Sequence, residues 1–257
     1  MSRRRSITNI TAAGPSVAAA HIAATFDDVF AMIDDWNSEL SRHLLSSATP
    51  TASDLDALVE SFALPAVTGQ GLITGAGFVC APGLLADATW HLAWWLADPA
   101  GPRRLATVDD PSSDQFRDYT ALEWWRIPAH SGRRHLTGPY VDYVCTDDYT
   151  ITVTVPVLAE SRMLGVVGVD LLVDQLEREL LPLLRATGAT TTLVNSSGRV
   201  VTASDARREP GSILRLDGLT DALKPLHDEI GGVDAVSPAG YRVVSCGETS
   251  LALVIEG

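Results

Sequence analysis

The chain has 257 residues, of which 46% are hydrophobic and 20% charged, which is typical of a folded globular protein rather than a disordered one. Its formal net charge of -13 argues against a nucleic-acid-binding protein, because such a surface needs clustered lysine and arginine. The length suits one large domain or two smaller ones.

Three cysteines, Cys80, Cys145 and Cys246, lie far apart in the sequence and form no CxxC or Cys/His pattern. Neither a disulfide framework nor a metal site is indicated, and a reduced compartment fits best. Basic residues near the N-terminus precede a mildly apolar stretch that polar residues interrupt. This pattern favours a flexible leader over residues 1–15 and a cytoplasmic protein, with export as the alternative. No uninterrupted apolar run of ~18 residues occurs, so no membrane span is expected.

Residues 16–45 are predicted to form one long amphipathic helix. Apolar side chains recur there at steps of three and four residues and make a single stripe, at Ile22, Phe26, Val29, Ile33, Trp36, Leu40 and Leu44. The stripe can pack against the rest of the chain or against the same helix of a second copy. A homodimer through this helix therefore stays open.

A larger unit is predicted over 48–186. A helix over 54–64, with Ser53 as its N-cap, precedes short β-type runs punctuated by glycine and proline. The segment that begins near residue 112 is predicted to be a helix that stops before Pro128, because the residue before a proline avoids helical geometry. Two strands around a polar turn at 146–148, a third strand over 163–172 and a helix over 173–186 follow.

A smaller unit is predicted over 187–257. It begins with a hairpin whose tip is 195–198, continues with a short helix and ends with two strands. The sequence therefore predicts an α+β protein in which a long N-terminal helix (16–47) precedes two units, each built on an antiparallel sheet.

Catalytic motifs are missing from the sequence. It contains no GxSxG, HExxH, P-loop or EF-hand pattern, and its six histidines are scattered. The glycines over 69–77 do not open a helical pattern, so a structural glycine loop is expected there rather than a dinucleotide loop. We expect no enzyme activity, no cofactor and no metal.

An ordered set of motifs resembles the double Cache (dCache, PDC-type, PAS-like) sensor domains of bacterial receptors. The motifs are EWWRIPA from Glu123, GPYVDY from Gly138, YTITVTVPV from Tyr149 and LGVVGVDLLVDQL from Leu164. The resemblance covers nearly the whole chain from about Ser16. It implies two PAS-like modules behind the long helix and a ligand site in the larger module, between its sheet and a capping helix and loop.

The resemblance also implies which residues bind the ligand. Trp124 and Trp125 match an aromatic pair that walls the pocket, and Tyr140 and Asp142 match a tyrosine and an aspartate that line it. Asp170 matches the aspartate that accepts the ligand's ammonium in amino-acid-binding members.

Candidates close to this set in the sequence are Glu123, Tyr119 and Arg126. Alternatives remain for two of the assignments. Trp124 and Trp125 can belong to the core, as is expected of Trp90, Trp94 and Trp95, and Asp170 can cap the helix that follows it.

One position departs from the family pattern. Amino-acid-binding members carry an arginine two residues before the aromatic pair, and this chain has Leu122 there. An aromatic wall with nearby carboxylates attracts cations, so we expect an amine-containing ligand without an obligatory carboxylate clamp. Arg126 or Arg117 would restore a carboxylate site if either side chain folded inward.

The predicted function is therefore a non-enzymatic small-molecule sensor that signals through a separate, unidentified output protein. The alternatives are an exported solute-binding protein and, less favoured, a hydrolase or lyase on a PAS-like scaffold. No nucleic-acid partner is expected.

Overall fold

The computed structural model describes residues 14–69, 71–142, 148–160, 162–227 and 231–257. Most of the predicted leader, two residues of the predicted turn at 146–148, and Cys145 lie outside these ranges. The helices are α1 (Pro15–Ser46), α2 (Ala52–Thr68), α3 (Glu123–Ser131), α4 (Val173–Ala186) and α5 (Leu219–His227), with one 3-10 turn at Tyr119–Ala121.

Two antiparallel sheets carry the strands. The strands of the first sheet are β1 (Ile73–Cys80), β2 (Leu92–Leu96), β3 (Arg103–Arg104), β4 (His135–Val141), β5 (Tyr149–Ala159) and β6 (Arg162–Leu172), in the order β3-β2-β1-β6-β5-β4. Those of the second are β7 (Thr190–Asn195), β8 (Val200–Ala203), β9 (Asp234–Val236), β10 (Tyr241–Ser245) and β11 (Leu251–Glu256), in the order β8-β7-β11-β10-β9. The predicted α+β class, with a long helix and two antiparallel sheets, is confirmed.

The chain divides into two compact units. The larger is Asp27–Gln175 and contains the first sheet, with α2 packed on β1 and β2 and α3 packed on β4, β5 and β6. The smaller joins the beginning of α1, up to Phe26, to Leu176–Gly257. This division crosses α1 and falls near the start of α4, whereas the sequence-based boundary was drawn after residue 186.

The core of the larger unit uses both faces of its sheet. α1 contributes Trp36, whose ring stacks on Phe62 of α2 at 4.8 Å, and Asn37, whose amide donates to the Pro156 carbonyl. In the smaller unit α5 packs its leucines against β10, with Leu219 and Leu223 buried beside Val243. The stripe predicted for α1 is buried along its length, as the near-complete burial of Ile22, Phe26, Ile33 and Leu40 shows.

Two local predictions were wrong. Thr51, not Ser53, caps α2, because its hydroxyl oxygen accepts from the Asp54 backbone N–H at 3.3 Å. Residues 112–118 are not helical, and α3 runs from Glu123 through Pro128 to Ser131 rather than stopping before the proline.

The helix α1 meets the length and composition of a candidate membrane span, with a mean hydropathy of 1.3 over an 18-residue window. Of that window, 44% is buried in the fold. A core helix of a globular domain passes the same test, so this property is weak support for a span.

Candidate functional site

A cavity of about 420 Å³, a volume that includes its open mouth, lies on one face of the larger sheet, where α3 covers the strands. Its lining combines an aliphatic wall, two tryptophans, hydroxyl groups and two carboxylates. The lining residues are Val79, Leu92, Trp94, Leu105, Trp124, Tyr140, Asp142, Thr152, Thr154, Val166 and Asp170.

Strand register explains why these residues meet. Residues paired across neighbouring antiparallel strands point to the same face, and alternate residues along a strand share that face. Asp170 of β6 pairs with Thr152 of β5 and with Gly75 of β1. Two residues further along, Thr154 pairs with Gly168, which pairs with Gly77, which pairs with Trp94. The cavity is thus a patch of one sheet face, and the pairs named here belong to four of its strands, β2, β1, β6 and β5.

Glycines at two positions of β1 leave room for neighbouring atoms that a Cβ would displace. A Cβ on Gly75 would stand 2.6 Å from Asp170 Oδ2 and 2.7 Å from Trp94 Nε1. A Cβ on Gly77 would stand 2.8 Å from the Trp94 Cα and 2.1 Å from the Ala93 carbonyl oxygen. The glycines predicted to form a loop over 69–77 therefore have a different role at these two positions, because both lie inside β1.

Asp170 is the most unusual ionisable group of the cavity. Its side chain is 3% exposed, and burial together with the charge of Asp142 raises its pKa to about 7. Hydrogen bonding from Thr152, whose Oγ1 donates to Asp170 Oδ1 at 2.6 Å, and the nearby Trp94 indole N–H oppose this rise. Oδ2 has no hydrogen-bond partner among the described residues. Asp170 does not cap α4, so the capping alternative is not realised.

Tyr140 extends this hydrogen-bonded chain. Its hydroxyl lies 2.8 Å from Thr152 Oγ1. The single hydroxyl hydrogen of Thr152 is directed to the Asp170 carboxylate, so Tyr140 is the donor and Thr152 the acceptor. Tyr140 and Thr152 together orient one oxygen of Asp170, whereas the other, Oδ2, is buried without a hydrogen-bond partner among the described residues.

Pro128 explains how α3 is attached to the sheet. A proline inside a helix has no N–H for the carbonyl four residues earlier, which here is the carbonyl of Trp124. Thr154 of β5 replaces the missing donor, because its Oγ1 donates to the Trp124 carbonyl oxygen at 2.9 Å. The proline therefore does not end α3 but frees an acceptor that fixes the helix, and with it the Trp124 ring, over the cavity.

Thr154→Val is expected to destabilise the fold by ~1–3 kcal/mol, because it leaves the Trp124 carbonyl without a donor. In a Pro128→Ala background the new N–H can donate to that carbonyl within the helix, so the cost should fall by about 1 kcal/mol. Urea unfolding of the wild type, the two single variants and the double variant measures this coupling. Equal costs in both backgrounds would show that the Thr154 bond does not compensate for the proline.

A second contact attaches α3 at its N-terminus. His135 Nε2 of β4 lies 3.0 Å from Glu123 Oε1, and the Glu123 side chain is 53% exposed. Glu123 therefore belongs to the attachment of the helix and is absent from the cavity lining.

The predicted site residues separate into two groups. Those that line the cavity are Trp124, Tyr140, Asp142 and Asp170. Those that do not are Glu123, Tyr119, Trp125 and Arg126. Trp125 and Tyr119 are buried in one cluster with ring centroids 5.2 Å apart, and the Tyr119 hydroxyl donates to the Cys80 carbonyl oxygen at 2.7 Å.

Charge at the site is one-sided. Among the described lining residues there are two carboxylates and no lysine, arginine or histidine. Leu122 and Arg126 are exposed, and so is Arg117, whose guanidinium donates to the carbonyls of Asp114 and Phe116. No group of three or more His, Cys, Asp or Glu residues in the described ranges is placed to hold a metal ion.

Sequence reasoning assigned Trp94 to the core and left out Thr152 and Thr154. Trp94 is 5% exposed but lines the cavity, and the two threonines supply its hydrogen-bonded wall. The alternation of Thr150, Thr152 and Thr154 was a usable signal, because residues two apart in a strand face the same side. For Trp94 the signal was its pairing with a glycine, which only the register shows.

Comparison with known proteins agrees with this fold. Residues 105–178 match the family described as methyl-accepting chemotaxis protein-like, first PDC sensor domain, and these residues include all four predicted positions that line the cavity. A search of curated proteins by sequence found no match.

Solved structures match over nearly the whole chain. The extracellular domain of the histidine kinase mmHK1S-Z3 matches with a TM-score of 0.65 and 14% identity, covering 92% of this chain and 89% of that one. The periplasmic sensory domain of the Campylobacter jejuni chemoreceptor Tlp1 matches with a TM-score of 0.61 and 11% identity, covering 94% and 91%. The ligand-binding domain of the Pseudomonas aeruginosa PAO1 amino acid chemoreceptor PctC, solved with GABA, matches with a TM-score of 0.54 and 14% identity, covering 94% and 96%.

These matches confirm the resemblance to double Cache sensor domains. They also correct the expected location. The cytoplasmic prediction is wrong, because the matched domains are extracellular and periplasmic, and the exported alternative fits them better. The prediction relied on cysteines without a disulfide pattern, but Cys80 and Cys246 are buried at 1% and 0% exposure. Buried free thiols do not distinguish an oxidising compartment from a reducing one.

Proposed function

We propose that the chain is a non-enzymatic, extracytoplasmic sensor domain whose larger unit binds a small ligand with an ammonium group in the cavity beneath α3. The observation that carries the proposal is Asp170 Oδ2, a buried carboxylate oxygen of a cavity-lining residue that has no hydrogen-bond partner among the described residues. A buried carboxylate is costly unless a partner neutralises it, and an ammonium is such a partner.

The second carboxylate supports the same ligand class. Asp142 is 5% exposed, lines the cavity and is close enough to raise the pKa of Asp170. An ammonium placed between the two carboxylates relieves their repulsion and donates charge-assisted hydrogen bonds to both. Trp124 adds an aromatic surface, and a desolvated cation–π contact contributes ~0.5–2 kcal/mol.

The lining also disfavours an obligatory carboxylate on the ligand. Leu122, which stands where the family has its arginine, is exposed and absent from the lining. The two possible replacements, Arg117 and Arg126, are also exposed and absent from the lining. We propose that ligand binding produces a signal that is transmitted to an output protein or domain, as in a sensor.

Thermal shift with isobutylamine tests the ligand class, and isobutyrate is the matched control because it has the same carbon skeleton with a carboxylate instead. At ~100 times its dissociation constant a ligand adds about 2.7 kcal/mol to stability, which raises the melting temperature by several degrees. We expect a shift with isobutylamine, no shift with isobutyrate and no shift for Asp170→Asn. Asp28→Asn, at an exposed position of α1, should bind isobutylamine as the wild type does. A shift with isobutyrate alone would reject the proposal.

A further inference from the structure

Two unpartnered polar atoms of cavity-lining residues lie close together. Trp94 Nε1 and Asp170 Oδ2 are both buried and have no hydrogen-bond partner among the described residues. Each lies within 2.7 Å of the place where a Cβ on Gly75 would stand, so the two atoms are near neighbours above a glycine floor. A donor and an acceptor are thus presented side by side.

The two atoms do not satisfy each other. The indole N–H is close enough to the carboxylate to oppose the rise in the pKa of Asp170, yet the pair does not meet hydrogen-bond geometry. A misaligned N–H contributes a dipole without completing a hydrogen bond, so both atoms keep an unused hydrogen-bonding position.

The hydroxyl hydrogens of the described lining residues already donate to protein acceptors. The Thr152 hydroxyl donates to Asp170, the Tyr140 hydroxyl to Thr152 and the Thr154 hydroxyl to the Trp124 carbonyl. The Trp94 N–H is therefore the donor that remains for a ligand among these side chains. A buried indole N–H ordinarily finds an acceptor.

We propose that the ligand is an amine with a neutral hydrogen-bond acceptor, such as a hydroxyl, on the carbon next to its ammonium-bearing carbon, and that Trp94 Nε1 binds this acceptor while Asp170 binds the ammonium. The inference rests on the proposed function and narrows its ligand class to 1,2-amino alcohols and their neutral relatives. Trp94 becomes a specificity-determining residue that neither the sequence pattern nor the family comparison assigns.

A neutral acceptor fits better than a carboxylate. An ionised carboxylate has about four acceptor positions, and one neutral donor satisfies only one of them. It would also lie beside two carboxylates of the protein, and like charges in a buried site repel strongly. A hydroxyl needs one donor, carries no charge and can return its own hydrogen to Asp142 or Asp170.

Three probes that share the isobutylamine unit test the inference: isobutylamine itself, which has no acceptor, L-valinol, which adds a hydroxymethyl group, and L-valine, which adds a carboxylate. Titration calorimetry at pH 8 measures each dissociation constant. We expect L-valinol to bind the wild type about 2- to 10-fold tighter than isobutylamine, as one neutral hydrogen bond allows, and L-valine to bind more weakly than either. Trp94→Phe removes the donor and keeps an aromatic ring. It should lower L-valinol affinity to that of isobutylamine and change isobutylamine affinity by less than about 2-fold.

Each alternative result has a separate meaning. Equal binding of L-valinol and isobutylamine to the wild type, both lost in Asp170→Asn, would overturn the inference and leave the proposed function intact. A preference for L-valinol that persists in Trp94→Phe would also overturn it. Tightest binding of L-valine would indicate an amino-acid ligand instead. Binding of none of the three would reject the proposed function and the inference with it. The wild-type ranking needs no variant, so the inference stays testable if Trp94→Phe does not fold.

Discussion

Replacing Asp170 with asparagine is expected to stabilise the ligand-free protein at pH 8, by ~2–4 kcal/mol. The carboxyl group has a pKa of about 7 in the folded protein against its ordinary value of 3.8, because burial and Asp142 disfavour its charged form. Folding therefore costs free energy whenever the group must be ionised. Asparagine keeps the acceptor for Thr152 and removes the charge.

The sign of the pH dependence follows from proton binding. Below about pH 4 the carboxyl group is protonated in both states, so wild type and variant should have similar free energies of unfolding. Between the two pKa values the folded wild type holds the proton more tightly than the unfolded chain does, so its stability falls as pH rises. Above pH 7 the penalty is complete, and the variant should show its full advantage.

Urea unfolding at pH 4, 6 and 8 measures the free energy of unfolding of Asp170→Asn relative to the wild type. Asp28→Asn, which removes an exposed carboxylate, is the control and should differ from the wild type by nearly zero at each pH. A variant that is less stable than the wild type at pH 8 would show that Asp170 is a structural acceptor. A stabilising substitution that removes ligand binding is the behaviour of a residue retained for function, because binding sites often hold strained or uncompensated groups.

The sequence was informative where a local pattern decides the structure. The alternating threonines and valines of β5 predicted a strand with two distinct faces, and that strand runs over 149–159. Asp170 ends an apolar run, where an aspartate needs a partner if it is buried, and it is 3% exposed. In both cases the physical cause, side-chain alternation or the cost of burying a charge, acts within a few residues.

Non-local contacts explain what the sequence did not predict. Trp124 and Trp125 are adjacent on a helix, so they point about 100° apart, and only the sheet beneath decides that the first lines the cavity and the second joins the core. Trp94 was assigned to the core because its neighbours along β2 are all apolar, so they do not show which face of the sheet it occupies. Pro128 was given the usual role of a helix terminator, because the donor that replaces its N–H comes from Thr154, 30 residues from Trp124 along the chain.

Amine affinity is expected to be about 100-fold weaker at pH 5 than at pH 8. An ammonium binds the ionised form of Asp170, and below its pKa of about 7 that form declines tenfold with each pH unit. The ligand remains protonated throughout, since an alkylammonium titrates near the pKa of lysine, ~10.4. Titration calorimetry with isobutylamine from pH 5 to 8 gives the slope, and buffers of different ionisation enthalpy give the proton count. At pH 6 nearly one proton should leave the protein for each isobutylamine bound.

A histidine variant tests whether Asp170 is the source of this pH dependence. His135 contacts Glu123 and helps attach α3, but it does not line the cavity. His135→Gln removes the imidazole and should keep both the slope and the proton release if Asp170 is their source. A flat affinity between pH 5 and 8 in the wild type would mean that the ammonium does not bind the buried carboxylate. A slope that disappears in His135→Gln would instead mean that protonation acts through the attachment of α3. Only protonation of Asp170 itself would make the domain an amine sensor whose response weakens in acid, because the amine must then displace a proton from that carboxylate.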